Sequence, residues 1–111
     1  MTRPLKLRVS EADFQGSVVN LAQALRWRVA HFRPAMTNHG WRTPVAADGK
    51  GFPDLVLVRD RVVFAELKGT DGRLKPAQAA WRDALLAASV EWYLWSPDDW
   101  DAIRDVLTRR P

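Results

Sequence analysis

Cysteine is absent from the chain. Its absence excludes disulfides, thiolate zinc sites and a cysteine nucleophile, and it suits an intracellular protein. Histidine is scarce: His31 and His39 form no i,i+4 pair and belong to no His-rich run, which leaves little basis for an imidazole metal site or a histidine base. No apolar run approaches the ~20 residues of a membrane span, and no apolar h-region follows Met1-Thr2-Arg3-Pro4. Internal repeats, low-complexity tracts and domain linkers are also missing. These absences predict one cytoplasmic domain over residues 1–111, without membrane contact. Its residues 1–9 read as a basic N-terminal arm carrying Arg3, Lys6 and Arg8.

What is present argues for a folded protein with a polyanionic partner. A chain of 111 residues has room for one core and little more. Hydrophobic residues make up 47% and tryptophan occurs 6 times, which excludes a disordered chain. A net charge of +4 and a pI near 10.1 favour a polyanion. Many small domains are basic, so charge alone does not name the partner.

Periodicity orders the elements. Ser10 is a good N-cap, Glu11 and Asp13 suit a first helical turn, and Phe14, Val18, Leu21, Ala22 and Leu25 recur at helical spacing. Arg28 to Phe32 alternates polar and apolar side chains and predicts a strand. Arg33 to Gly51 holds Pro34, Gly40, Pro44, Gly49 and Gly51 and reads as a long irregular loop, a feature that is often functional. Asp54–Val58 and Val62–Lys68 predict an antiparallel hairpin around Arg59-Asp60-Arg61. A second helix starts with Pro76 at N1 and buries Ala77, Trp81, Ala84, Leu85 and Ala88. Val90–Trp95 is a strand. Ser96-Pro97-Asp98-Asp99 opens a last helix with Trp100, Ile103 and Leu107 on one face. The expected fold is α/β, in the order α-β-β-β-α-β-α.

Asp54, Glu66 and Lys68 put charge at the ends of two apolar strands, where it is costly without a partner or a task. A three-residue loop sets Val58 opposite Val62, Val56 opposite Phe64 and Asp54 opposite Glu66, with Lys68 extending the same face. A two-residue loop would send the two acids to opposite faces. In the even register the carboxylates start roughly 5 Å apart at Cβ and can converge on one Mg²⁺, whose ligands lie at about 2.1 Å. The Leu67 carbonyl is a further candidate ligand. Such a cation activates water and polarises a phosphoryl oxygen, while Lys68 can orient the water or neutralise charge in the transition state. The competing reading has Asp54 cap a turn and Glu66 pair with Lys68 on a solvated face. Val56, Val58 and Phe64 on that face make a solvated surface a poor description.

Two helical residues bear on the same place. Glu11 lies at the edge of the first helix's inward face, and it equally suits complementing the helix dipole. Gln78 flanks the second helix, where it either reaches a phosphate or a metal-bound water or is simply solvated. Arg33, Arg42, Lys50, Arg73 and Lys75 lie in loops around the site, as phosphate contacts or as ordinary loop charges. Trp41 is the loop aromatic suited to a DNA wedge.

Glu11 with Phe14-Gln15, Gly51-Phe52-Pro53-Asp54, Glu66-Leu67-Lys68-Gly69, and Gln78 with Trp81 occur in this order from Ser10 to Leu107. This arrangement resembles the VRR-NUC (virus-type replication-repair nuclease) family of the PD-(D/E)XK superfamily. The resemblance implies a restriction-endonuclease-like fold with a central mixed four-stranded sheet flanked by helices. It implies that Asp54 and Glu66 bind Mg²⁺ or Mn²⁺, that Lys68 is the catalytic lysine, and that Glu11 and Gln78 complete the site. Standalone members resemble Holliday junction resolvases, which implies a homodimeric endodeoxyribonuclease acting on branched DNA in a bacterial or phage-infected cell. The alternatives are a nicking, flap or duplex nuclease of the same fold, and a non-catalytic DNA-binding subunit of a repair or packaging assembly. The Arg33–Lys50 segment departs from the resemblance.

Overall fold

The first helix, α1 (Glu11–Ala24), begins where the Ser10 hydroxyl accepts from the Asp13 N–H at 3.1 Å. Phe14, Val18 and Ala22 form its buried stripe. It ends as Arg26 enters the left-handed region at φ 71° and the Trp27 N–H returns to the Ala22 carbonyl at 2.9 Å. The computed structural model describes residues 9–33, 35–43 and 45–110; apart from Val9, the expected basic arm lies outside them.

Four strands form the main sheet: β1 (Arg28–His31), β4 (Leu55–Val58), β5 (Val62–Leu67) and β6 (Glu91–Trp95). Their order is β1-β4-β5-β6. β1 and β5 flank β4 antiparallel, and β6 joins β5 parallel, so the sheet is mixed as expected. The parallel pair requires a crossover, which α2 (Pro76–Ala87) supplies. A 3₁₀ turn at Pro97–Asp99, capped by the Asp99 carboxylate on the Ser96 N–H at 2.8 Å, leads into α3 (Trp100–Thr108).

Strand alternation divides the side chains between two faces. Leu55, Leu57, Val63, Ala65, Leu67 and Trp95 pack with the stripe of α1 and with Ile103, Val106 and Leu107 of α3 into one hydrophobic core. α2 crosses the other face. It lacks the buried face expected from its sequence: none of its residues is buried, Trp81 and Leu85 are half-covered, and Ala84 is exposed, as is Ala88 beyond it. The sheet face it crosses leaves Val58, Val62 and Leu94 exposed too, so the helix touches the sheet without being enclosed.

The stretch expected to be irregular contains a separate hairpin of β2 (Ala35–Thr37) and β3 (Gly40–Arg42). The element order is therefore α-β-β-β-β-β-α-β-α, with β2 and β3 inserted between β1 and β4. Three-residue strands are too short for alternation to reveal. The turn is held by Thr37, whose hydroxyl donates to the Gly40 carbonyl at 2.7 Å, with Gly40 at φ 92°.

The turn between β4 and β5 fastens the end of the sheet remote from Asp54. Arg59 and Arg61 both stack on the buried Trp27 ring, at 4.6 and 5.0 Å from its centroid. Arg59 donates to the carbonyls of Leu25 and Leu107, each at 3.1 Å. Arg61 donates to the carbonyls of Val106 and Arg109 and, at 2.6 Å, to the Glu91 carboxylate. Trp27 adds an indole N–H to the Leu107 carbonyl at 2.8 Å. These groups satisfy carbonyls that the ends of α1 and α3 leave unpaired, at the negative pole of each helix. Among the described residues no helix is long and apolar enough to cross a membrane.

Candidate active site at the end of the central hairpin

The β4–β5 hairpin has the even register. Val58 pairs with Val62, Val56 with Phe64 and Leu55 with Ala65, so Asp54 and Glu66 stand opposite each other just beyond the last pair. Both carboxyls lie at the end of β5, within hydrogen-bonding reach of one another. Asp54 is oriented by the Leu67 N–H, which donates to its Oδ2 at 2.8 Å. The Leu67 side chain points into the core on the other face, so this residue serves the site through its backbone.

Glu66 is 2% exposed. Its Oε1 accepts from Gln78 Nε2 at 3.0 Å and lies 3.9 Å from the Lys68 ammonium. Its Oε2 is buried and accepts no hydrogen bond. Burial pushes the Glu66 carboxyl up to about 9; the Asp54 charge and hydrogen bond add to the shift, Glu11 adds a little, and Lys68 opposes it. Two carboxyls held together in a poorly hydrated corner need a proton or a cation between them. The donor set is oxygen alone, which fits a hard divalent cation. Among the described residues no group of three or more His, Cys, Asp and Glu gathers as a metal cluster. Mg²⁺ is commonly held by one or two carboxylates, with water and substrate oxygens completing its shell.

Three backbone features set the remaining site residues. Gln78 is N3 of α2, and its Oε1 accepts from the Lys75 N–H at 2.8 Å. This capping bond leaves its Nε2 directed at Glu66. Gly51, at φ 83°, lets the chain pass against the start of α2: a Cβ there would lie 2.4 Å from the Ala77 carbonyl carbon. Gly72 folds back over Lys68, where an added Cβ would lie 2.6 Å from the Lys68 Cβ. Lys68 is consequently buried against its own loop. Glu11 is exposed, but a Cβ added at Gly69 would lie 3.8 Å from its Cβ, which brings α1 to the rim of the site.

A cleft of about 350 Å³ opens beside Asp54 and Gln78, bordered by Lys50, Arg42, Trp41 and Phe52. Lys50 and Lys75 border a second depression at the start of α2. Arg33 and Arg73 are exposed and border neither. Phe32 and Phe52, 5.3 Å apart between ring centroids, form an aromatic floor backed from outside the cleft by Trp81, stacked on Phe52 at 5.0 Å, and by Phe64 at 6.0 Å. Sequence reasoning missed this floor, although the Phe-Pro before Asp54 was its signal. It also missed Thr70, whose hydroxyl is buried without a partner two residues beyond Lys68. His31 turns away from the cleft: its Nε2 meets Gln15 Oε1 at 3.2 Å on the α1 side. Burial, helped by Arg33, holds that imidazole below its usual range. His39 sits in the β2–β3 turn.

No family model, curated protein or solved structure matches the chain.

Proposed function

We propose that the protein is a metal-dependent endodeoxyribonuclease of the PD-(D/E)XK type that hydrolyses phosphodiester bonds in branched DNA. The observation that carries this reading is the buried Glu66 carboxyl set beside the Asp54 carboxyl, with the Lys68 ammonium 3.9 Å away at the same strand end. Two carboxyls buried side by side are costly to keep unless a proton or a cation lies between them. Asp54, Glu66 and the Leu67 carbonyl are the groups that would hold Mg²⁺ or Mn²⁺, which when bound polarises the phosphoryl oxygen and acidifies a water.

The chain's own groups have distinct tasks in this reaction. The Leu67 N–H fixes the Asp54 carboxyl, and Gln78 fixes that of Glu66, so neither has to reorganise when substrate arrives. Lys68 offers its ammonium to the negative charge that grows on the phosphoryl oxygens, and the Gly72 contact limits its rotamers. Glu11, at the rim, faces the water side. Lys50 and Lys75 border the depressions where the DNA backbone would run, while Arg33 and Arg73 extend the positive field around them. A homodimer would present two such sites to two strands with two-fold symmetry. Val58, Val62, Leu86 and Leu94 are exposed apolar side chains open to such pairing.

Cleavage of four-way junction, flap, single-stranded and linear duplex DNA, with Mg²⁺, Mn²⁺ or chelator, tests this function. Metal-dependent incision of branched substrates is expected, abolished by Asp54→Ala and by Glu66→Ala while DNA binding persists. Lys68→Ala should slow cleavage strongly and leave metal affinity nearly unchanged. Incision that survives in both carboxylate variants would remove the basis for the mechanism.

A further inference from the structure

The β2–β3 hairpin belongs to neither the core nor the main sheet. Met36 and Trp41 are directly paired across it, so their side chains share one face. They are 62% and 66% exposed, the two most exposed large hydrophobic residues of the described chain. A two-stranded hairpin is marginal on its own in water, and one cross-strand apolar pair adds only a modest increment to its stability. Such a pair is explained by something it meets. The surrounding charge indicates what that is: from Phe32 to Lys50 the sequence has Arg33, Arg42 and Lys50 against one acid, Asp48.

The ribbon is also held in register with the active site. At its base the Phe32 N–H donates to the Asp54 carbonyl at 2.8 Å, and Phe32 packs on Phe52. On the return side the Trp81 indole donates to the Asp48 carbonyl at 3.0 Å, linking the segment to α2. Trp41 and Arg42 line the same cleft as Asp54 and Gln78. A partner seated on the Met36–Trp41 pair would therefore pass directly to the carboxylates.

We infer that the β2–β3 ribbon is a DNA wedge, in which Trp41 and Met36 enter an opened base step at a branch point while Arg42 and Lys50 hold the adjoining phosphates. A two-stranded ribbon is narrow enough for a DNA groove, and apolar side chains between base steps are a recurring means of kinking or reading distorted DNA. At a branch, stacking is already interrupted, so inserting an indole and a thioether costs least there. The ribbon thereby selects branched over linear DNA. This inference rests on the reading of the chain as a DNA nuclease, and it assigns the choice of substrate to an element outside the catalytic groups.

The test uses a four-way junction of synthetic oligonucleotides with 2-aminopurine at the branch, and a linear duplex of the same sequence, in chelator so that metal-dependent cleavage is silent. The full-length protein is expected to raise 2-aminopurine fluorescence on the junction. Trp41→Ala should remove that rise and weaken junction binding about ten-fold, the scale of one lost base–aromatic contact, with linear-duplex affinity changed less than about two-fold. Trp41→Phe should restore most of the signal, and Met36→Ala should give a partial loss. Trp41 is exposed, so unchanged melting of Trp41→Ala checks that the fold is intact.

Unchanged fluorescence and affinity in Trp41→Ala would overturn the wedge, as would equal weakening on junction and duplex, which would make Trp41 a general backbone contact. Absence of DNA binding, with the ribbon instead capturing a protein, would overturn it too. The two readings fail separately. A 2-aminopurine signal without metal-dependent cleavage would leave the wedge and remove the nuclease. Cleavage that depends on Asp54 without the signal would do the reverse.

Discussion

Titrating Mg²⁺ into the protein at a series of pH values addresses the Glu66 corner directly. The Glu66 carboxyl is raised to about 9, so near neutrality the metal-free protein carries a proton there that a cation must displace. Between about pH 6 and 8, binding should release close to one proton per ion, and apparent affinity should rise about ten-fold per pH unit before levelling near pH 9. The sign for stability follows the same shift. Above the ordinary carboxyl range the unfolded chain has lost this proton while the folded chain keeps it. The stabilisation is complete at low pH and is lost as pH rises through about 9, so the metal-free melting temperature should fall across that window. Saturating Mg²⁺ should oppose the fall at the alkaline end. Calorimetry in two buffers of different ionisation enthalpy counts the protons, and thermal denaturation follows stability. Glu66→Gln should remove this contribution to both pH dependences. An affinity flat between pH 6 and 8, or a slope that persists in Glu66→Gln, would refute the argument.

Substitutions at three positions probe the surroundings. Arg61→Ala should lower stability by about 2 kcal/mol in urea denaturation, because carbonyls of Val106 and Arg109 and the Glu91 carboxylate lose a charged donor. Arg61→Lys should recover little of this, since an ammonium cannot reach all three with one planar fork. Gly51→Ala forces a side chain against the Ala77 carbonyl at a positive φ and should cost about 1–3 kcal/mol in the same assay. It should also weaken Mg²⁺ binding by moving the start of α2 away from Glu66. Gly72→Ala presses on the Lys68 stem and should cut the cleavage rate about ten- to a hundred-fold while Mg²⁺ affinity stays nearly constant.

The hairpin was legible from two alternating runs around Arg59-Asp60-Arg61, while its register hung on the loop length until the three-residue turn, with Val63, Ala65 and Leu67 in the core, decided it. The opposition of Asp54 and Glu66 follows from that count. α1 was legible from its cap and its stripe, and the α/β class from the element order, whereas the mixed sheet came only with the family resemblance. Other features depend on contacts distant in sequence. Trp27 looks like any apolar residue after a helix until Arg59, Arg61 and Leu107 arrive from more than thirty residues away. The exposure of α2 was illegible because its small and apolar residues satisfy helical periodicity whether or not anything covers them. Gln78 had two sequence readings, and only the capping bond from Lys75, which aims its amide at Glu66, distinguishes a directed side chain from a solvated one.

The thin cover over α2 has a kinetic consequence. A helix with no buried residue is held by a few contacts, among them Trp81 on Phe52 and on the Asp48 carbonyl and Gln78 on Glu66, and is expected in the first cooperative unit to open. Its amides should exchange with deuterium well before those of β4 and β5, whose side chains build the core. Each opening would withdraw Gln78 and leave Glu66 facing water. A cation bridging Asp54 and Glu66 would fix the carboxyl that Gln78 grips and slow exchange along the helix, although no ligand atom lies on it. Protection of α2 thus becomes a reporter, read remotely, of occupancy at the end of β5.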